Sequence, residues 1–123
     1  MASRQDVADF LSEFKTTMEY GEYHLVRREK NIQDIEDLGL TLLQAKAIIT
    51  GLRPEDYSSG PEPDDADPTK EVWTFGHDLE ETEIYIKLRL APVKGKKHVQ
   101  LAKVLSFHKA EYPLEYPLRE GKR

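Results

Sequence analysis

The sequence predicts an α+β protein, with N-terminal helices packed on a C-terminal antiparallel sheet of three or more strands. Two observations carry this. Apolar residues recur at helical spacing as far as Gly51, and at alternate positions from Val72 onward. Between the two regimes, proline, glycine and acidic residues replace the apolar pattern. The 123 residues suit one domain around one core, so 1–123 reads as a single domain.

Val7, Phe10, Leu11, Phe14 and Met18 place a helix over 4–20. Ser3, followed three residues on by Asp6, has the spacing of a capping box, and Gly21 marks the stop. Tyr23-His24-Leu25-Val26 reads as a short strand. Arg27, Arg28 and Lys30 then form a basic cluster, and Ile32, Ile35 and Leu38 mark a short helix ending at Gly39. Thr41 can cap a further helix that holds Leu42, Leu43, Ala45, Ile48 and Ile49 and stops at Gly51. "SSGPEPDDADP" reads as a loop without regular structure, an acidic, proline-rich segment over 58–69.

Val72, Trp73 and Phe75 open a strand, and Trp73 and Phe75 suit the core. "EIYIKLRLA" is a second strand, "VKGKK" a turn, and "HVQLAKVLSFH" a third strand. His77 is expected in a loop and His98 at the edge of the turn. The tail over 110–123 contains "EYPLEYPL". Each proline fixes φ and lacks an N–H, so the tail should run extended. Its tyrosines either pack back over the sheet or form the wall of a groove.

The absence of cysteine excludes a disulfide frame and a thiolate metal site. No glycine-rich phosphate loop or nucleophile elbow is present. Asp64, Asp65 and Asp67 lack the offsets of a calcium loop, and neither a metal nor a small-molecule cofactor is expected. No run of 18 apolar residues exists, and the first twenty residues are heavily charged. No membrane span or secretory signal is expected, and a cytoplasmic protein fits best. The net charge of −5 hides an asymmetry: residues 84–123 hold ten Lys/Arg against three Glu, and residues 1–83 hold eight against twenty Asp/Glu. A basic C-terminal part suits an anionic ligand.

If Ile84, Ile86, Leu88 and Leu90 pack on the helices, Tyr85, Lys87 and Arg89 face the other way. With Phe107, Leu105 and Leu101 also inward, Tyr85 pairs with Ser106, and His108 lies diagonal to Tyr85 on the outward face. Lys103 then takes an inward parity, which places it beyond the helix cover or beside a bulge. A phenol, an imidazole, a lysine and an arginine on one face are the groups that metal-free RNA cleavage needs. A base takes the 2′-hydroxyl proton, cations stabilise charge growing on phosphorus, and an acid protonates the leaving 5′-oxygen. Histidine as a residue type titrates near neutral pH and serves in either proton role.

"DLGLTLLQAKAIITGLRPEDY", "VWTFG", "EIYIKLRL" and "LSFH", in that order, resemble the motility quorum-sensing regulator (MqsR-like) toxin family over roughly 22–109. The resemblance implies the RelE-like fold and a ribosome-independent mRNA interferase, an endoribonuclease (hydrolase) of a bacterial type II toxin–antitoxin pair. Its partners would be a cognate antitoxin and single-stranded mRNA. The family's catalytic tyrosine falls on Tyr85 and the lysine beside it on Lys87. The lysine that ends the family's last strand falls on His108, another falls near Ser59, and a glutamine falls on Thr74. The expected catalytic residues are thus Tyr85, His108 and Lys87, with Arg89, Lys103, Lys109 and Tyr112 binding RNA. The alternative is an inactive relative that keeps only its partner-binding surface.

Overall fold

A computed structural model describes residues 2–26, 29–93, 95 and 100–119. Among them the order is α1 (Arg4–Tyr20), β1 (Glu22–Leu25), α2 (Glu29–Asp37), α3 (Leu42–Thr50), a 3₁₀ turn (Pro54–Asp56), β2 (Tyr57–Pro63), β3 (Glu71–Leu79), β4 (Thr82–Pro92) and β5 (Gln100–Lys109). The helices pack on one face of a five-stranded sheet ordered β1-β5-β4-β3-β2, so the fold class is α+β. None of these helices is long and apolar enough to cross a membrane. Arg27 and Arg28 of the basic cluster, His98, most of the expected turn and residues 120–123 lie outside the described residues.

The caps form as the spacing requires. In α1 the Ser3 hydroxyl accepts from the Asp6 N–H at 3.1 Å while the Ser3 N–H donates to the Asp6 carboxylate at 3.1 Å. Thr41 and Gln44 close the same reciprocal pair on α3. Val7, Phe10, Leu11, Phe14 and Met18 form the buried face of α1. They meet Phe75, Ile84, Ile86, Leu88, Val104 and Phe107 in one apolar core.

Four sequence expectations are corrected. The segment 58–63 is not loop but most of β2, an edge strand whose prolines and two register shifts suit a position with one unpaired side. His77 lies within β3. The sheet is not wholly antiparallel, because β1 joins β5 in parallel. The fourth concerns the register of β4 on β5. Tyr85 pairs with His108, not Ser106, and Lys87 pairs with Ser106; a bulge then intervenes, so that Leu88 pairs with Val104 and Arg89 with Lys103. The extra residue is Leu105, and its insertion reverses the parity of everything before it. Val104 and Ala102 therefore enter the core in place of Leu105 and Leu101, and Lys103 turns to the outer face. Buried Asn31 of α2 braces this bend, donating to the Val26 and Leu105 carbonyls at 2.9 and 3.1 Å.

Residues 110–119 form neither helix nor strand and cross one end of the outer face as a strap. The Leu114 N–H and the Tyr116 hydroxyl both donate to the Glu83 carboxylate, at 3.0 and 2.6 Å. A Cβ on Gly76 would lie 2.0 Å from the Tyr116 hydroxyl oxygen, so the ring takes the space that only glycine leaves. The Arg119 guanidinium lies 3.7 Å over that ring and 3.7 Å from Asp56. Tyr116 thus packs back on the sheet, whereas Tyr112 is 71% exposed.

Two phenols make the fold alkali-sensitive. Burial pushes Tyr23 up to about 12 from the ordinary 10.0. Burial, then the Glu83 carboxylate that accepts its hydrogen bond, raises Tyr116 as well. A raised folded-state pKa means stability that is complete below the unfolded value and lost as pH climbs through the folded one. Thermal stability should therefore hold up to about pH 10 and fall steadily toward pH 12. Melting curves across that range check this, and a flat profile would contradict it.

Candidate active site

The outer face is built from two rows of side chains that run across the strands. In the first, Tyr85 of β4 stands between Gly76 of β3 and His108 of β5. In the second, Lys87 stands between Thr74 and Ser106, with Ser59 of β2 beyond Thr74. Side chains directly opposite on paired strands project from the same face, so these residues share one surface. The strap bounds it at one end and the β2–β3 connection at the other. Between them lie two hollows that meet at Tyr85 and Lys87. One, of about 200 Å³, includes His108, Ser106, Glu111 and Tyr112. The other, of about 440 Å³, includes Thr74, Val72, Glu62 and Asp65.

Tyr85 and His108 stack with ring centroids 5.0 Å apart and planes 17° from parallel. The imidazole Nδ1 lies 2.8 Å from the Lys109 carbonyl oxygen. A carbonyl only accepts, so Nδ1 carries the hydrogen and donates. In the neutral ring this leaves the lone pair on Nε2, which can take a proton. Backbone geometry at the end of β5 therefore fixes both the plane and the tautomer of His108. Among the described residues, the Tyr85 hydroxyl and the Lys87 ammonium have no hydrogen-bond or ion-pair partner.

The remaining expected residues are divided. Lys103 joins the outer face beside Arg89. Arg89 itself is only 8% exposed and faces the Asp64 carboxylate at 4.0 Å, which limits what it offers to a ligand. Lys109 pairs with Ile84, a core residue, and so lies on the helix side of the sheet, away from Tyr85. Tyr112 lines the smaller hollow at its rim. A larger cleft of about 1200 Å³ lies on the helix side against α1. Asp6, Asp9, Glu13, Lys70 and Arg89 line it, and it contains neither histidine nor tyrosine. No group of three or more metal-ligating side chains occurs among the described residues.

Sequence reasoning placed Tyr85, Lys87 and His108 on one face but set Tyr85 against the wrong partner. It also overlooked Ser106 and Gly76 as parts of the site. The signal was the awkward parity of Lys103, since a cation at an inward position in an otherwise regular strand is what a bulge explains. Chemically, the arrangement offers a proton acceptor of fixed tautomer, a hydroxyl donor stacked on it and a cation one row away. No protein-family model matches the chain, and no curated protein matches it.

Proposed function

We propose that the protein is a metal-independent endoribonuclease that cleaves single-stranded RNA, the toxin of a toxin–antitoxin pair acting on mRNA in the cytoplasm. The observation that carries this reading is the stacked Tyr85–His108 pair in a groove that also contains Lys87. The resemblance of the segments around Tyr85 and His108 to the MqsR-like toxins supports it.

In this reaction His108 Nε2 takes the proton from the ribose 2′-hydroxyl as that oxygen attacks phosphorus. The bond to the 5′-oxygen breaks, and this oxygen leaves with a proton supplied by the Tyr85 hydroxyl. Lys87 offsets the charge that gathers on the phosphate in between. The products are a 2′,3′-cyclic phosphate and a free 5′-hydroxyl. The imidazolium then returns its proton to the tyrosine through solvent, which resets the site.

Incubating the protein with mixed-sequence single-stranded RNA in EDTA tests this. The expected result is cleavage with cyclic-phosphate ends. RNA left intact would favour a second reading, a partner-binding module without activity. That reading draws on the occupation of Arg89 by Asp64 and on the uncharged Ser59 and Thr74, where the resemblance implies lysine and glutamine.

A further inference from the structure

We infer that Thr74, Lys87 and Ser106 together form a binding site for a tetrahedral oxyanion. In the reaction proposed above, on which this second clause rests, they hold the non-bridging oxygens of the scissile phosphate. Thr74 and Ser106 are the two cross-strand neighbours of Lys87, one on each side, so the three side chains stand in a line across β3, β4 and β5. Thr74 is only 4% exposed and Ser106 only 9%. Neither hydroxyl has a hydrogen-bond partner among the described residues.

Among the described residues the enclosed side-chain atoms without a partner are Asp34 Oδ2 and Gln100 Oε1, so the Thr74 and Ser106 hydroxyls, though their residues are largely buried, open to the hollows and are free to donate. These two open donors stand on either side of an ammonium that also lacks a partner among the described residues. Thr74 lines one hollow and Ser106 the other, and Lys87 lines both. Two O–H donors flanking one cation match an anion with several acceptor oxygens.

The neighbouring groups are consistent with this. The carboxylates that line the two hollows, Glu62, Asp65 and Glu111, are exposed, and one Glu62 oxygen already accepts from the Ser59 hydroxyl at 3.2 Å. The bulge at Leu105 lies next to Ser106. Bulges re-aim side chains next to functional sites, and this one lets Ser106 stay on the outer face while Val104 enters the core.

Two measurements test the inference separately from the activity. The first titrates the protein with inorganic phosphate and follows backbone amide and Lys87 ammonium signals by NMR. Saturable shifts confined to Thr74, Lys87, Ser106 and their neighbours are expected. They should be lost in Ser106→Ala and in the isosteric Thr74→Val, both first shown by melting to be folded. Phosphate that shifts only other lysines and arginines, or nothing, overturns the site whether or not RNA is cleaved. The second measures single-turnover RNA cleavage. Ser106→Ala should slow the chemical step by about 10²-fold with KM little changed, and Ser106→Thr should restore it. A Ser106→Ala protein that cleaves at the parental rate removes the hydroxyl from the reaction. Phosphate bound at the row by a protein that leaves RNA intact keeps the anion site and discards the ribonuclease.

Discussion

His108→Ala should reduce RNA cleavage by about 10²- to 10⁴-fold, the usual contribution of a positioned general acid or base. Stability should change little, because the ring is only partly buried, at the end of β5, and its one hydrogen bond goes to the adjacent carbonyl. The informative companion is His108→Lys. The resemblance to the MqsR-like toxins implies a lysine at this position, and lysine supplies charge without exchanging a proton readily at neutral pH. If His108 moves the 2′-hydroxyl proton, His108→Lys stays nearly as impaired as His108→Ala. If it only offsets phosphate charge, His108→Lys recovers most of the rate. Tyr85→Phe keeps the stacked ring and removes the proton donor, so its loss should resemble that of His108→Ala. Single-turnover rates of all three, with melting curves alongside, check this. A His108→Ala protein within threefold of the parent would remove His108 from the chemistry and with it the basis of the proposed function.

Much of this site was legible in the alternation of "EIYIKLRL", because a strand with one buried face can place its polar residues in only one direction. What alternation cannot carry is the register between strands. Leu105 looks as apolar as Val104, and nothing local says which of the two the core accepts. The observed register lies two residues from the expected one at Tyr85, which faces His108 in place of Ser106 and makes a diagonal neighbour a stacked one, while the one-residue bulge reverses the parity of Gln100–Val104. The strand in 58–63 was hidden for a different reason. Its prolines and glycine argue against a central strand, but at the edge of a sheet one side of the backbone needs no partners. The burial of Arg89 was not legible because its partner Asp64 comes from the β2–β3 connection, a contact of tertiary structure alone. The strap was readable as extended. Its anchor was not, since Glu83 precedes Leu114 and Tyr116 by some thirty residues and only the fold joins them.

Phe75→Ala should be the most destabilising single change, by about 3–5 kcal/mol. The ring is fully buried and links three elements: its centroid is 6.1 Å from that of Phe10 in α1, nearly parallel, and 6.1 Å from that of Tyr57 in β2, edge-on. Truncation removes the transfer free energy of the ring and leaves a cavity that the sheet and α1 cannot close together. A domain of this size has about 5–15 kcal/mol in total, so the loss should lower Tm by roughly 10–20 °C and shift the denaturation midpoint strongly. A loss below about 1 kcal/mol would mean that the aromatic cluster is not packed as described. Phe75 also separates the two kinds of failure. It lies between Thr74 and Gly76 on β3, so its inward ring anchors the strand whose outward positions flank both Lys87 and Tyr85. Phe75→Ala should therefore lose activity in proportion to the unfolded fraction and recover it on cooling or with a stabilising osmolyte. His108→Ala should stay folded and stay slow under the same conditions. Only that contrast distinguishes a residue that performs the chemistry from one that holds the sheet on which it is performed.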